Sequence, residues 1–281
     1  MKPLNADLHC HSTVSDGLLR PAELVRRAKA NGVELLALTD HDEIGGLAEA
    51  RAEAAVVGLG FVNGAEISVS WGEDQTVHVV ALGFDPAYPA LVNGLAQVRG
   101  GRDSRAQRMA AELDKVGIHG AYEGALSYAG NPALISRSHF ARYIVELGLA
   151  RDVNSVFDWW LAKGKPGYVA HPWATLAEAM AWIRGAGGLA VVAHPARYRL
   201  SKTELHDMFA AFKDLGGVGI EVLSGSSDPD EVREYAQVAR QYGFLASRGS
   251  DFHGPGESWV DLGRMPDLPP DLEPVWTRLS R

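Results

Sequence analysis

A chain of 281 residues, 46% of them hydrophobic, can bury the core of one large domain or of a barrel with an insert. Its formal net charge of −8 argues against a protein dedicated to duplex DNA, and its single cysteine, Cys10, excludes an internal disulfide and a cysteine-based zinc site. We expect a cytoplasmic protein, with neither a signal peptide nor a membrane-spanning segment.

Short apolar segments alternate with helical stretches, which predicts repeated βα units and an α/β fold. The first strand is expected at residues 4–8, and Pro21 marks the first turn of a helix that ends near Gly32. Six further strands are expected at 33–38, 61–68, 76–82, 188–193, 218–223 and 244–247. Capping boxes predict three later helix starts: Thr175 with Glu178, Ser201 with Glu204, and Ser227 with Asp230 around Pro229.

Residues 99–165 interrupt this pattern with helical stretches and no clear strand, and we expect them to form an inserted helical cap. Residues 1–98 and 166–281 would then form one barrel domain. The first helix of the cap is predicted to carry Arg99, Arg102, Arg105 and Arg108 along one drifting face. That spacing suits a solvated surface helix and a cationic binding site equally well.

Side chains that can bind metals lie at or near the ends of nearly all predicted strands. Asp7, His9 and His11 alternate with apolar residues, so their side chains share one face of the first strand. The carboxyl ends of parallel barrel strands meet at one mouth, so these residues should converge. Nine candidates follow in chain order: His9, His11, Asp16, His41, Glu66, His78, His194, Asp251 and His253.

Histidine and carboxylate ligands without thiolate suit manganese, iron or zinc. Nine candidates exceed the needs of one tetrahedral ion, so two or three ions are indicated. Without cations, such a cluster would leave buried charge unpaired, which is energetically costly. Closely spaced metals lower the pKa of a bridging water and clamp phosphoryl oxygens, which favours hydrolysis of phosphate esters.

The polar motifs resemble those of the PHP domain (polymerase and histidinol phosphatase) family. In chain order they are Asp7-Leu8-His9-Cys10-His11-Ser12-Thr13, Ser15-Asp16-Gly17, Thr39-Asp40-His41-Asp42, Gly64-Ala65-Glu66, His78, Ala193-His194-Pro195 and Ser250-Asp251-Phe252-His253. The resemblance spans residues 7–253 and implies a distorted (β/α)7 TIM-like barrel with three metal ions at its mouth. Manganese is the favoured metal, with iron or zinc as alternatives.

The same resemblance implies how the nine candidates divide among the ions. The first would be held by His9, His11, Glu66 and Asp251, the second by Glu66 as a bridge with His78 and His194, and the third by Asp16, His41 and His253. Asp42 is not needed as a ligand, so it is a candidate to orient water, protonate the leaving group or support His41. His194 is a catalytic candidate as well, because its loss should remove metal and activity together.

The helical insert after His78, together with the motif at 193–198, resembles a bacterial branch of this family. Its members include 3′,5′-nucleotide bisphosphate phosphatases and 5′-to-3′ exonucleases that act on short RNA. This implies release of the 3′-phosphate to give a 5′-mononucleotide, with guanidinium groups binding the second phosphate. The candidate substrate-binding residues are Asp42, Arg102, Arg105, Arg137, His139 and Arg197.

Three alternatives remain open at this point. A histidinol-phosphate-like phosphatase of small monoesters would need no remote cationic site. An amidohydrolase acting on C–N bonds also uses His-x-His on its first strand, but it needs fewer ligands. A noncatalytic PHP module would have eroded ligands, whereas every motif position here carries a competent one. The sequence leaves open the general acid, the oligomeric state, and the choice between free nucleotides and short single-stranded RNA.

Overall fold

The computed structural model describes residues 4–72 and 75–279. The strands are β1 (Ala6–Asp7), β2 (Leu35–Leu38), β3 (Gly60–Trp71), β4 (Gln75–Leu82), β5 (Ala174–Thr175), β6 (Leu189–Val192), β7 (Gly219–Ser224) and β8 (Leu245–Gly249). Seven of them form a barrel wall in the order β1-β2-β3-β4-β6-β7-β8, and the short β5 pairs with β3 beside this path. The predicted α/β class and seven-stranded TIM-like barrel are confirmed.

The helices are α1 (Pro21–Ala30), α2 (Leu47–Val57), α3 (Pro89–Gly100), α4 (Arg102–Asp114), α5 (Ala121–Tyr128), α6 (Arg137–Glu146), α7 (Val153–Val156), α8 (Leu176–Gly185), α9 (Lys202–Asp214) and α10 (Pro229–Tyr242). The capping boxes predicted at Thr175 and Ser201 are present. In the described part of the chain, no helix has both the length and the apolar character that a membrane crossing requires.

The third predicted capping box is wrong by one residue. Asp228, not Ser227, caps α10, and its carboxylate accepts the N–H groups of Asp230 and Glu231. The hydroxyl of Ser227 is engaged elsewhere, because it accepts the N–H of Ser224 at 3.0 Å. Ser227 therefore stabilises the turn before the helix, and Asp228 begins the helix.

β4 departs from the predicted βα repeat, because it runs antiparallel to both β3 and β6. Only residues 72–74 separate β3 from β4, which leaves no room for the crossover helix that a parallel pair needs. The first half of β4, rather than its end, is therefore nearest the mouth of the barrel. There His78 lies opposite Ser68 of β3.

The barrel closes between its first and last strands. Leu8 N–H donates to the carbonyl of Arg248 at 3.1 Å, and Asp251 N–H donates to the carbonyl of His9 at 2.8 Å. A Cβ atom on Gly249 would lie 2.1 Å from the Cβ of His9, so only glycine permits this approach. The closure places polar residues from opposite ends of the chain next to each other.

The helical segment between β4 and β5 has a hydrophobic core of its own, formed largely by α4, α5 and α6. The prediction that one helix carries four arginines is wrong. Arg99 lies near the end of α3, whereas Arg102, Arg105 and Arg108 belong to α4, and Gly101 separates the two helices. The boundaries of a cap at 99 and 165, and of a barrel domain around it, stay predictions.

Candidate metal centre

The nine predicted metal ligands lie together at one end of the barrel. They form overlapping groups whose ligand atoms lie within 4.8 Å of one another. The groups are His11, Asp16, His41 and His253; His9, His11 and Asp251; His9, Glu66 and His194; and His41, Glu66 and His78. Each of the nine residues therefore takes part in at least one arrangement with the spacing of a metal site.

Glu66, on β3, lies at the centre of this cluster, and its two oxygens face different histidines. Oε1 lies 2.7 Å from His78 Nδ1 and 2.8 Å from His194 Nε2. Oε2 lies 3.3 Å from Nε2 of both His9 and His11. A carboxylate flanked in this way on both sides is placed to bridge two cations.

Several buried polar atoms of the cluster have no hydrogen-bond partner in the described protein. They are His9 Nε2, His11 Nδ1, His41 Nδ1, Glu66 Oε2 and His194 Nδ1. Buried polar atoms in folded proteins are nearly always paired, so these lone pairs call for ligands of another kind. Imidazole and carboxylate together suit divalent manganese, iron or zinc, so the residues present fit a group of such cations.

The electrostatics of the cluster favour an ionised Glu66 and neutral His11 and His78, whereas His9 and His41 are shifted the opposite way. Burial lowers the pKa of both, but nearby carboxylates outweigh it and raise the pKa of His9 well above 6.5 and that of His41 to about 9. Burial raises the pKa of Glu66, but His78, His41 and His9 outweigh it and hold that pKa well below its usual range. Burial and the neighbouring His253 and His41 lower the pKa of His11 to about 3. Burial likewise lowers the pKa of His78 to about 4, despite the opposing charge of Glu66. Ionised carboxylate and neutral imidazole are the forms that bind metals.

Backbone strain is concentrated around the same cluster. Within residues 4–72 and 75–279, the non-glycine residues with positive φ are Asp42 (52°), His194 (25°) and Asp251 (51°). Positive φ is uncommon outside glycine, and strained residues of this kind collect at functional sites where the surrounding structure enforces them. Two of the three are predicted metal ligands, and the third directly follows the predicted ligand His41.

Glu221, on β7, supports two of the ligands and was not singled out in the sequence. Its Oε1 lies 2.6 Å from His9 Nδ1, and its Oε2 accepts the N–H of His194 at 2.6 Å. A carboxylate on one ring nitrogen fixes which histidine nitrogen faces the metal. The available signal was a glutamate in the middle of an otherwise apolar predicted strand, 218–223.

Asp42, predicted to touch substrate, lies behind the wall of the site. Its carboxylate is buried, accepts the N–H and hydroxyl of Ser68 at 2.7 and 2.9 Å, and forms an ion pair with Arg102. Its backbone carbonyl accepts a hydrogen bond from Arg99 at 2.7 Å. The carboxylate is therefore already occupied by partners from β3 and α4.

A cavity of about 570 Å³ opens above the cluster. The predicted ligands that line it are Asp16, His41, Glu66, His78, His194, Asp251 and His253. The rest of its wall includes five arginines and five aromatic residues: Arg102, Arg105, Arg137, Arg197, Arg199, Phe157, Tyr168, Trp173, Tyr198 and Trp259. One cavity thus joins the metal-ligand cluster to a cationic, aromatic wall.

Arg102 and Arg105 form the buried part of the cationic wall. They are 5% and 7% exposed, and their guanidinium carbons lie 5.0 and 5.2 Å from the ring centre of Trp173. Burial and the nearby charges of Arg137 and Arg102 lower the pKa of Arg105 to about 9. Of the α4 arginines, only Arg108 is exposed as a solvated helix surface would require. Like charges held together away from water favour an anion between them.

Of the three remaining predicted substrate contacts, Arg137 lines the cavity near Arg105, and the other two are placed differently. Arg197 lines the cavity at the metal end, where it pairs with Asp251 and donates to Ser226 Oγ at 3.1 Å. His139 is 1% exposed and stands apart from the residues described as lining the cavity. Its Nδ1 accepts the N–H of Ser136 at 3.0 Å, so it caps α6 from within.

Comparison with known proteins gives a consistent picture along the whole chain. The PHP domain model matches residues 7–162. A 3′,5′-nucleoside bisphosphate phosphatase from Chromobacterium violaceum is 52% identical over 98% of this chain and 96% of its own length. A 5′-3′ exoribonuclease from Haemophilus influenzae is 39% identical over 97% of this chain and 98% of its own length.

Two solved structures share the fold over nearly their full lengths. An amidohydrolase from Chromobacterium violaceum, with bound sulfate and no metal, has a TM-score of 0.94 and 51% identity and covers 98% of this chain and 95% of its own. A proposed metal-dependent phosphoesterase from Bifidobacterium adolescentis has a TM-score of 0.79 and 29% identity and covers 98% and 96%. The chain belongs to the PHP domain family.

Proposed function

We propose that this protein is a metal-dependent phosphatase that removes the 3′-phosphate of 3′,5′-nucleoside bisphosphates and leaves a 5′-mononucleotide. The family and its relatives confirm the predicted enzyme class, a metal-dependent hydrolase of phosphate esters. The observation that carries the substrate assignment is the lining of the cavity, which combines metal ligands with the buried Arg102 and Arg105.

The metal-ligand cluster would hold three divalent ions, with manganese favoured over iron or zinc. We assign His9, His11, Glu66 and Asp251 to one ion, Glu66, His78 and His194 to a second, and Asp16, His41 and His253 to the third. When bound, such ions lower the pKa of an attacking water and neutralise the charge of the phosphoryl group. In this proposal His194 is a catalytic residue because it holds an ion beside the reacting phosphate.

The arginines of the cavity wall would bind the phosphate that does not react. Arg102, Arg105 and Arg137 meet around one part of the cavity, where a guanidinium can bind two phosphate oxygens at once. Fixing the 5′-phosphate there would direct the 3′-phosphate to the metal end. Arg197, paired with Asp251, would add a positive charge at that end.

Asp42 would act through Arg102 rather than on the substrate. The buried carboxylate fixes the guanidinium against β3 and Trp173, so its negative charge restrains one arginine of a like-charged cluster. In the same way, His139 would support the site by capping the helix that begins with Arg137. Both are positioning roles, which differ from the substrate contacts expected from the sequence.

A second candidate activity is removal of nucleotides from the 5′ end of short single-stranded RNA. The observation that favours it is the cavity rim, where Trp259 is 75% exposed and the exposed cations Lys163 and Arg199 also line the opening. Aromatic rings stack on bases and cations follow a phosphate backbone, so a further nucleotide can lie there. A cytoplasmic location stays a prediction.

An amidohydrolase activity, named for one structural relative, fits the cavity less well. A neutral amide or lactam offers no negative charge to Arg102, Arg105 and Arg137, so this cationic part of the cavity would contribute little to its binding. A small amine-bearing monoester such as histidinol phosphate would likewise leave the arginine end unused. The cationic wall therefore favours a substrate with two separated phosphates.

A substrate panel tests the proposal. Phosphate release is measured from adenosine 3′,5′-bisphosphate, AMP and histidinol phosphate, and ring opening from a lactone and a lactam, with manganese-loaded enzyme and a chelated control. We expect strong preference for the bisphosphate, abolished by chelation. Good turnover of the monoesters with none of the bisphosphate would overturn the substrate assignment, and turnover of the lactam alone would overturn the reaction class.

A further inference from the structure

Arg142, in α6 of the helical segment, connects two loops that carry predicted metal ligands. It is 6% exposed and donates to the backbone carbonyl of Asp16 at 2.5 Å. The same guanidinium binds both carboxylate oxygens of Glu257, with Nε and one terminal nitrogen each at 2.8 Å. The planar guanidinium of Arg142 therefore holds two loops, one near the start of the chain at Asp16 and one near its end at Glu257.

Each of these two loops is further tied to a ligand of the same predicted ion. Ser136, the N-cap of α6, donates its hydroxyl to Asp16 Oδ2 at 3.1 Å. Ser258, next to Glu257, accepts the N–H of His253 at 2.8 Å through its Oγ. Asp16 and His253 belong to the ligand group that also contains His11 and His41.

The four ligands of that group do not have equal backbone support. His11 and His41 continue from β1 and β2 and are held by ladder contacts, since His11 N–H donates to Phe252 and His41 bridges to Glu66. Asp16 and His253 lie in loops outside any named strand or helix. A metal site needs its ligands placed within about 0.5 Å, so loop ligands depend on side chains that fix them from outside.

We propose that Arg142 is a positioning residue for the third ion, held by Asp16, His41 and His253 and adjacent to His11, and that it sets the separation of Asp16 from His253. This rests on the metal centre of the proposed function. It makes the helical segment part of the metal site as well as part of the substrate cavity. Arg142 itself stands apart from the residues described as lining that cavity, so it acts through the two loops.

Lysine cannot replace Arg142, because an ammonium group lacks the planar set of donors that binds a carboxylate and a carbonyl together. The test variants are therefore Arg142→Met, Arg142→Lys and Glu257→Gln. The matched control is Arg240→Met, which removes another two-point pair between arginine and carboxylate, with Asp271, on the exposed surface of α10. Each protein is loaded with manganese and desalted, and its bound metal is measured by elemental analysis and by titration. The melting temperature of the chelated form is recorded.

We expect wild type and Arg240→Met to retain the same number of ions. The Arg142 variants should lose one equivalent, or bind it about 10- to 100-fold more weakly, as is common when a group that orients a ligand is removed. Glu257→Gln should shift affinity in the same direction. With excess manganese, kcat should recover while KM for the bisphosphate stays unchanged.

Unaltered manganese stoichiometry and affinity in Arg142→Met would overturn the proposal. A lower melting temperature of the chelated variant would not rescue it, because Arg142 and Glu257 would then stabilise the fold without positioning the metal ligands. If Arg142→Met does not fold, unaltered affinity in both Arg142→Lys and Glu257→Gln overturns it. The measurements of manganese stoichiometry and affinity require no turnover. A wild type that binds its metals without hydrolysing any phosphate ester would refute the proposed function and leave the test of Arg142 intact.

Discussion

The carboxylate of Asp42 and the guanidinium of Arg102 form an ion pair in which both side chains are buried. Asp42 follows β2 of the barrel and Arg102 begins α4, so the pair joins the metal end of the barrel to the cationic wall. Removing one partner of a buried pair commonly costs about 3–5 kcal/mol, because the other charge is left without compensation. Loss of the pair should therefore affect both the stability of the fold and the binding of substrate, and steady-state kinetics measure the second effect by itself.

Arg102→Ala should raise KM for adenosine 3′,5′-bisphosphate and leave metal content unchanged. Hydrogen bonds to charged groups contribute about 1.5–3 kcal/mol, which corresponds to a roughly 10- to 100-fold loss of kcat/KM. Arg108→Ala, on the exposed side of the same helix, is the matched control. Steady-state kinetics with elemental analysis measure both properties, and an Arg102→Ala enzyme equal to wild type would remove the phosphate-binding role.

Asp42→Asn should weaken bisphosphate binding in the same way as Arg102→Ala, because the amide cannot hold the guanidinium as the carboxylate does. The double variant should be little worse than either single variant, since both changes disrupt one unit. A kinetic double-mutant cycle measures this. If Asp42→Asn instead lowers kcat at unchanged KM and alters the pH–rate profile, the residue is a general acid and the positioning role is wrong.

Glu221→Gln should lower metal affinity by about 10- to 100-fold with little effect on the fold, because it removes the carboxylate that orients His9 and holds the backbone of His194. Glu234→Gln, an exposed change on α10, serves as the control. Competition with a metal-binding dye reports the affinity. Equal affinity in the two variants would contradict the proposed support of His9.

Acid should destabilise the protein partly through His139. Burial lowers the pKa of His139 from 6.5 to about 4. Between pH 6.5 and pH 4, this imidazole is therefore protonated in the unfolded chain but stays neutral in the folded one. Stability is complete above pH 6.5 and is lost as the pH falls toward 4, by about 3 kcal/mol at most. Urea unfolding of the chelated protein at pH 7 and pH 4.5 tests this against His139→Asn, which keeps an acceptor for Ser136. An equal loss of stability in both proteins would contradict the assignment.

Local sequence patterns predicted which polar side chains lie together because the relevant geometry is local. Alternation along the first strand puts His9 and His11 on one face, and strand ends place His41 and Asp251 at the mouth. Patterns of the same kind failed where two local preferences compete. Gly101 divides the helix that arginine spacing had joined, and Asp228 displaces Ser227 as a cap.

Contacts between distant segments could not be predicted in this way. Arg142 and Glu257 are 115 residues apart, and Arg102 and Asp42 are 60 apart, so neither pair leaves a spacing signal. The antiparallel direction of β4 was not predicted. The βα pattern on either side of β4 suggested a parallel strand, but the connection from β3 is too short for the helix that a parallel pair needs. Local patterns thus identified the side chains of the candidate metal centre, whereas the groups that hold them in place could be seen only in the packed fold.

The orientation of the substrate in the cavity is tested most directly by the identity of the nucleotide left after one turnover of adenosine 3′,5′-bisphosphate by manganese-loaded enzyme. Chromatography against both mononucleotide standards shows which phosphate has been removed. We expect adenosine 5′-monophosphate, because the arginines retain the 5′-phosphate while the 3′-phosphate meets the metal ligands. Accumulation of adenosine 3′-monophosphate would contradict this orientation, and with it the division of the cavity into a reacting end and a binding end.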